Sequence, residues 1–197
     1  MKTVGIYLFD EVEVLDFAGP FEVFSVASQL RNYESHRVLT FSDEGQTIHA
    51  VNGLSVNPDQ SLEQIETLDF LVIPGGQGSN EVIKKPAVLQ KLDQLIQSAE
   101  WTMSVCSGSR VLGVLGHLDH KAYCSHHSVY SNMTEIVPSG DPRPDLRFVP
   151  ADEKIYTAAG ISAGIDLSFF LLEQTWGIEL AIETAEYMEY LPYLSKE

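Results

Sequence analysis

A chain of 197 residues fits one domain of ordinary size and can bury a core without disulfides or metals. Its 12 Lys+Arg against 28 Asp+Glu give a formal net charge of −16 at pH 7. Such a surface repels phosphate backbones and anionic headgroups, which argues against nucleic-acid and membrane partners.

Val4 to Phe9 reads as a buried first strand, cut off by Asp10 and Glu11. That run is too short for a signal peptide or a membrane span, so a soluble, cytoplasmic protein is expected. Pro20 suits a first helical position, with Phe21, Val23, Phe24 and Ala27 forming an apolar face to about Leu30. His36 to Phe41 reads as a second strand. Residues 45–66 suggest short strands or a hairpin, with turns at Asn52-Gly53 and Asn57-Pro58.

Phe70 to Ile73 is a continuous apolar run stopped by Pro74-Gly75-Gly76, as a central parallel strand requires. Helical spacing follows over 87–99, then a strand from Thr102 to Val105, a small-residue helix from Ser107 to Leu115 and a strand from Ala122 to Ser125. Residues 138–145 form a turn-rich surface connection. A late strand, Lys154 to Ala158, precedes a helix through Leu167, Phe170 and Leu171, and a last amphipathic helix runs from about Ile178 to Tyr190. The alternation argues one domain over residues 1–197, an α/β fold with a mainly parallel sheet covered on both faces.

Sites in open parallel sheets form at the carboxyl ends of strands. Ser104-x-Cys106-x-Gly108 has the shape of a nucleophile elbow, with small residues on either side of the crowded turn. A helix N-terminus there would favour thiolate and lower the thiol pKa from about 8.5. The plainer alternative is a buried structural cysteine. Gly75 and Gly76, with the Ser107 N–H, suit an oxyanion hole, or simply a tight turn. Asp16, between Leu15 and Phe17, suits a desolvated proton carrier or a loop or capping aspartate. His126 suits a general base, with His127 beside it, and Cys124 suits core packing. Ile161 and Ser162, in the Gly160–Gly164 turn, are candidate pocket residues. The two cysteines form no disulfide framework, and no metal-ligand spacing appears around them.

Four stretches together resemble the ThiJ/PfpI superfamily, with its class I glutamine amidotransferase-like fold, over nearly the whole chain. They are Leu15-Asp16-Phe17-Ala18-Gly19-Pro20, Leu71 to Gly76, Ser104 to Gly108, and Gly160 to Leu167. The first and last look most like the isonitrile hydratase branch. The resemblance implies a flavodoxin-like α/β sandwich and a homodimer. Its nucleophile falls on Cys106, its proton-handling aspartate on Asp16, and its hydroxyl residue, commonly threonine, on Ser107. The implied reaction adds water to a small electrophile, an isonitrile giving an N-substituted formamide, without metal or organic cofactor. Peptidase-like and deglycase-like branches carry glutamate where Asp16 stands. The stretch that commonly reads Thr-Thr-His-Trp is here Cys124-Ser125-His126-His127, which changes the substrate wall. The His-x-Glu arm of a glutaminase triad has no counterpart. Glyoxalase- or amidase-like chemistry from the same cysteine is an alternative. So is a redox or ligand sensor in which Cys106 oxidises to sulfenic or sulfinic acid. The last block also occurs in AraC-type sensor domains, which continue into a helix-turn-helix, whereas this sequence ends at Glu197.

Overall fold

A computed structural model describes residues 1–194, and they surround one seven-stranded sheet. β1 (Lys2–Leu8) leads through α1 (Val14–Gln29) to β2 (His36–Ser42). β3 (Ile48–His49) and β4 (Ser55–Val56) form the antiparallel hairpin, turning through Asn52 (φ 67°) and Gly53 (φ 89°). β5 (Gln60–Ser61) then joins the sheet edge. β6 (Phe70–Ile73) is followed by α2 (Ser79–Val82), α3 (Pro86–Ser98), β7 (Trp101–Val105) and α4 (Ser109–Val114). β8 (Ala122–Tyr123), α5 (Tyr130–Ile136), β9 (Asp141–Pro142), β10 (Phe148–Pro150) and β11 (Ile155–Ala158) come next. α6 (Ala163–Trp176), α7 (Ile178–Tyr187) and α8 (Leu191–Leu194) complete the described chain.

The sheet order is β5-β2-β1-β6-β7-β11-β10, parallel throughout except for β10 against β11. The run β2-β1-β6-β7-β11 has the flavodoxin-like order, and the winding reverses between β1 and β6, where a crevice opens at the carboxyl ends. β6 is buried at every position, as an unbroken apolar run demands when helices cover both faces. One helix group packs α1, α6 and α7 together, another α4 with α2 and α5, and β7 touches both α4 and α6.

Glycines set the fit between these layers. A Cβ on Gly19 of α1 would stand 2.8 Å from Ile165 Cγ1, and one on Gly164 of α6 would stand 2.9 Å from both Val105 methyls. These two positions bring α1 onto α6 and α6 onto β7, so the first and last motifs converge on the cysteine strand. Asp166, also of the last motif, is buried in a structural role. It accepts from Arg147 Nε and, at 2.7 Å, from Tyr190 Oη.

Several expectations are corrected. α1 begins at Val14, not Pro20, which lies inside the helix. The ring costs one backbone bond, to the Asp16 carbonyl, and packing of the buried face outweighs that loss. The expected strand from Ala122 to Ser125 ends at Tyr123 and pairs with β9 in a separate two-stranded ribbon. Cys124, Ser125 and His126 therefore lie beyond the strand. The last helix stops at Tyr187, and Leu191–Leu194 turns again. Residues 195–197, within the expected domain span, lie outside the described residues.

Candidate active site

The loops after β1 and β6 are joined by a bridge between Val12 and Gly76 and by the Glu13 N–H donating to the Gly75 carbonyl at 2.9 Å. Beside them β7 ends in a tight turn over Cys106–Gly108 that runs into α4. Cys106 has φ 57°, a left-handed backbone that costs a non-glycine residue about 1–3 kcal/mol. The surroundings hold it there. Its N–H donates to the Ala159 carbonyl at 3.0 Å, and its own carbonyl accepts from Ser109 Oγ and Ser125 Oγ, each at 3.2 Å. Gly108 faces the Pro74 carbonyl, 2.8 Å from where a Cβ would sit, which is why the turn needs a glycine there.

Asp16 lies in the first turn of α1, fully buried, rather than in a loop. Its Oδ2 accepts the Gly75 N–H at 3.0 Å, while Oδ1 is buried without a hydrogen bond of ordinary geometry. Burial pushes its carboxyl up to about 7, against the opposing pull of the Gly75 N–H and the neighbouring Cys106 thiol. Burial, followed by the Asp16 carboxylate, pushes the Cys106 thiol up to about 12. The N–H groups of Ser107 and Ile161 act in the other direction. The backbone N–H groups at this turn do favour thiolate, as expected, but burial and the carboxylate act more strongly the other way.

The two glycine amides are already engaged, which corrects their assignment as oxyanion donors. Gly75 N–H serves Asp16, and Gly76 N–H donates to Ser107 Oγ at 2.9 Å. Ser107 Oγ lies 3.0 Å from the Gly76 carbonyl and 3.2 Å from Ser79 Oγ, so its hydroxyl braces the turn. The Ser107 amide remains directed at the sulfur, and the Ile161 amide is shared between the sulfur and the Asp16 carboxyl. Ile161, like Cys106, has a left-handed backbone, with φ 50°.

A cavity of about 230 Å³ opens over the sulfur, its walls including Glu13, Gly76, Cys106, Ser107, His126 and Ile161. His126 is braced by Ser128, whose Oγ is 2.7 Å from Nδ1, and burial lowers the imidazole pKa. His127 is exposed, its ring 4.1 Å from that of His126, and it forms no part of the wall. Ser162 is also exposed and outside the wall, accepting from Arg147 Nη2 at 3.2 Å. Cys124 is fully buried, with Sγ 3.3 Å from the Arg143 carbonyl, away from the cavity. A separate cavity of about 390 Å³ is lined by Asp10, Glu11, Asp43, Glu44 and Lys85, among others. Its walls carry no cysteine or histidine. Sequence reasoning missed Arg110 and Glu13 on the cavity wall. The signal for Arg110 was its place, one helical turn after Cys106, as the charged residue of a small, apolar helix.

Comparison with known proteins places the fold and the sequence in one family. Isonitrile hydratase from Pseudomonas putida is 29% identical over 189 residues, covering 96% of this chain and 78% of that enzyme. The HTH-type transcriptional regulator GbdR from Pseudomonas aeruginosa is 26% identical over 96% of this chain, which spans 51% of the regulator's length. The crystal structure of a ThiJ/PfpI family protein from Pseudomonas syringae superposes with a TM-score of 0.84 at 21% identity, covering 96% of this chain and 75% of that one. With the family's model matching residues 2–174, the chain belongs to the DJ-1/PfpI family.

Proposed function

We propose that the protein is a cysteine-nucleophile hydratase in which Cys106 and Asp16 share one proton, acting on a small electrophile of the isonitrile type. The observation that carries this reading is the buried Asp16 carboxyl beside the Cys106 thiol, with Oδ1 left without an ordinary hydrogen bond. The similarity to isonitrile hydratase supports the choice of substrate class.

Between about pH 7 and 12 the pair holds a single proton. Transfer of that proton from sulfur to Asp16 generates the nucleophile only as it is needed. The sulfur attacks the isonitrile carbon, and Asp16 returns the proton to that carbon, giving a thioimidate. Water then adds across the C=N bond, its oxygen to carbon and a proton to nitrogen, with Asp16 as the base. Collapse forms the C=O bond, breaks the C–S bond and restores the thiol through Asp16. The product is an N-substituted formamide. The Ser107 and Ile161 amides hold the charge that develops on sulfur, while the Ser107 hydroxyl braces Gly76. His126 contributes pocket wall rather than the proton.

A direct test incubates the protein with a simple alkyl isonitrile and follows N-alkylformamide by mass spectrometry. Catalytic formation that disappears in Cys106→Ala supports the reading. Product formation equal in both proteins contradicts it.

The match of 96% of this chain to GbdR favours one second reading, ligand recognition without turnover. Saturable binding of the isonitrile with no formamide would select it. In either case a homodimer is the proposed assembly. Phe21 of α1 and Ile178, Ile182 and Tyr187 of α7 offer exposed apolar surface for it. Light scattering that finds only the 21.9 kDa species at high concentration would rule this assembly out.

A further inference from the structure

Arg110 has no part in the proton chemistry, yet it lines the same cavity as Cys106. It sits in the first turn of α4, four residues after the cysteine. It is 9% exposed, and its fork is held by neutral groups. Nε donates to Asn132 Oδ1 at 2.8 Å and Nη1 to Ser79 Oγ at 2.9 Å. Among the described residues no carboxylate forms an ion pair with it.

That arrangement is unusual in a chain with 28 acidic residues. A buried guanidinium without a counter-ion is costly, and folding normally supplies a carboxylate partner. Glu13 lines the same cavity, but its charge bears on Asp16 and His126. Cys106 is the acidic group whose field reaches Arg110. The missing partner of the cation therefore belongs to whatever occupies the space over the sulfur.

We infer that Arg110 is the anion-binding group of the Cys106 cavity, and that the substrate is a small electrophile bearing a carboxylate or similar monoanion held by its guanidinium. This inference rests on the reading of Cys106 as the nucleophile. A cavity of about 230 Å³, open to solvent on one side, suits a small molecule. With Nε and one Nη1 hydrogen engaged, the remaining Nη1 and Nη2 hydrogens still offer two N–H donors to the two oxygens of a carboxylate. The overall negative charge opposes approach of an anion only at long range, since salt at 0.1 M screens beyond about 10 Å.

Iodoacetate and iodoacetamide react with a thiol by the same displacement and differ in charge, so their relative rates at Cys106 read this contact. Peptide mass spectrometry gives the ratio of the two rates in wild type, Arg110→Gln and Arg110→Lys. The expected result is a fall in the iodoacetate-to-iodoacetamide ratio of about fivefold or more in Arg110→Gln, with most of it retained in Arg110→Lys. A ratio unchanged in Arg110→Gln overturns the inference, whichever way the absolute rates move. A second arm needs no substitution. Propionate should raise the melting temperature of the wild-type protein more than propionamide at equal ionic strength, and equal shifts likewise overturn the inference. If the reagents label the buried Cys124 in preference to Cys106, the nucleophile reading fails instead, and the propionate arm still reports on Arg110.

Discussion

Gly75 donates its backbone N–H to Asp16 Oδ2 at 3.0 Å, so the loop after β6 holds the carboxyl carried by α1. The contact is close because nothing projects from Gly75. A Cβ there would stand 2.5 Å from the Ser107 nitrogen and 2.9 Å from Asp16 Oδ2. Three segments distant in sequence thus meet through one residue without a side chain.

Gly75→Ala should push these segments apart, since backbone atoms have little room to give. Overpacking of this kind costs about 1–3 kcal/mol. The expected outcome is a lower denaturation midpoint together with loss of most turnover, measured by chemical unfolding and steady-state kinetics on the same preparation.

Asp16→Asn should stabilise the fold at alkaline pH while it destroys activity. The folded carboxyl sits at about 7, above its usual 3.8. Its contribution to stability is therefore fully present below pH 4 and is lost as pH rises through 7. At ~1.4 kcal/mol per pH unit the loss is on the order of 4 kcal/mol. Asparagine has no charge to bury and can still accept from Gly75. Thermal melts should show the variant gaining on wild type between pH 4 and 8, and parallel curves would argue against a buried titrating Asp16.

The rate should follow the same group. If the singly protonated pair is the reactive form, kcat/KM rises as pH increases through about 7 and stays high toward the thiol value of about 12. A profile that falls through neutrality would show that the doubly protonated pair reacts.

Much of this was legible in the sequence because local rules govern it. The apolar runs of β1 and β6, the Asn52-Gly53 turn and the elbow around Cys106 each announce themselves within a few residues. The helix start at Val14 was not legible, because Pro20 breaks a local rule that packing of α1 on α6 and α7 overrides. Likewise, the sequence leaves the glycine pair open between oxyanion donors and a tight turn. Only the three-dimensional contacts with Asp16 and Ser107 consume those amides. The raised thiol value was hidden for a similar reason, since it arises from burial and from a residue ninety positions away. Gly160 carried a subtler signal, its missing side chain making room for the His126 ring.

His126→Ala should cost less than tenfold in kcat, because the imidazole forms wall and is tied to Ser128. A group that carried the proton would cost about 10²–10⁴. Steady-state kinetics of this variant against Asp16→Asn separates the two roles.

The most direct test is a double-mutant comparison of kcat/KM for Asp16→Asn, Cys106→Ala and the two combined. Residues that work as one unit are strongly non-additive. Each single change should remove most turnover, Asp16→Asn by about 10²–10⁴ as expected for lost proton transfer. The double variant should be scarcely slower than Cys106→Ala alone. Near-normal turnover in Asp16→Asn, or losses that multiply in the double variant, would contradict a shared proton between Asp16 and Cys106.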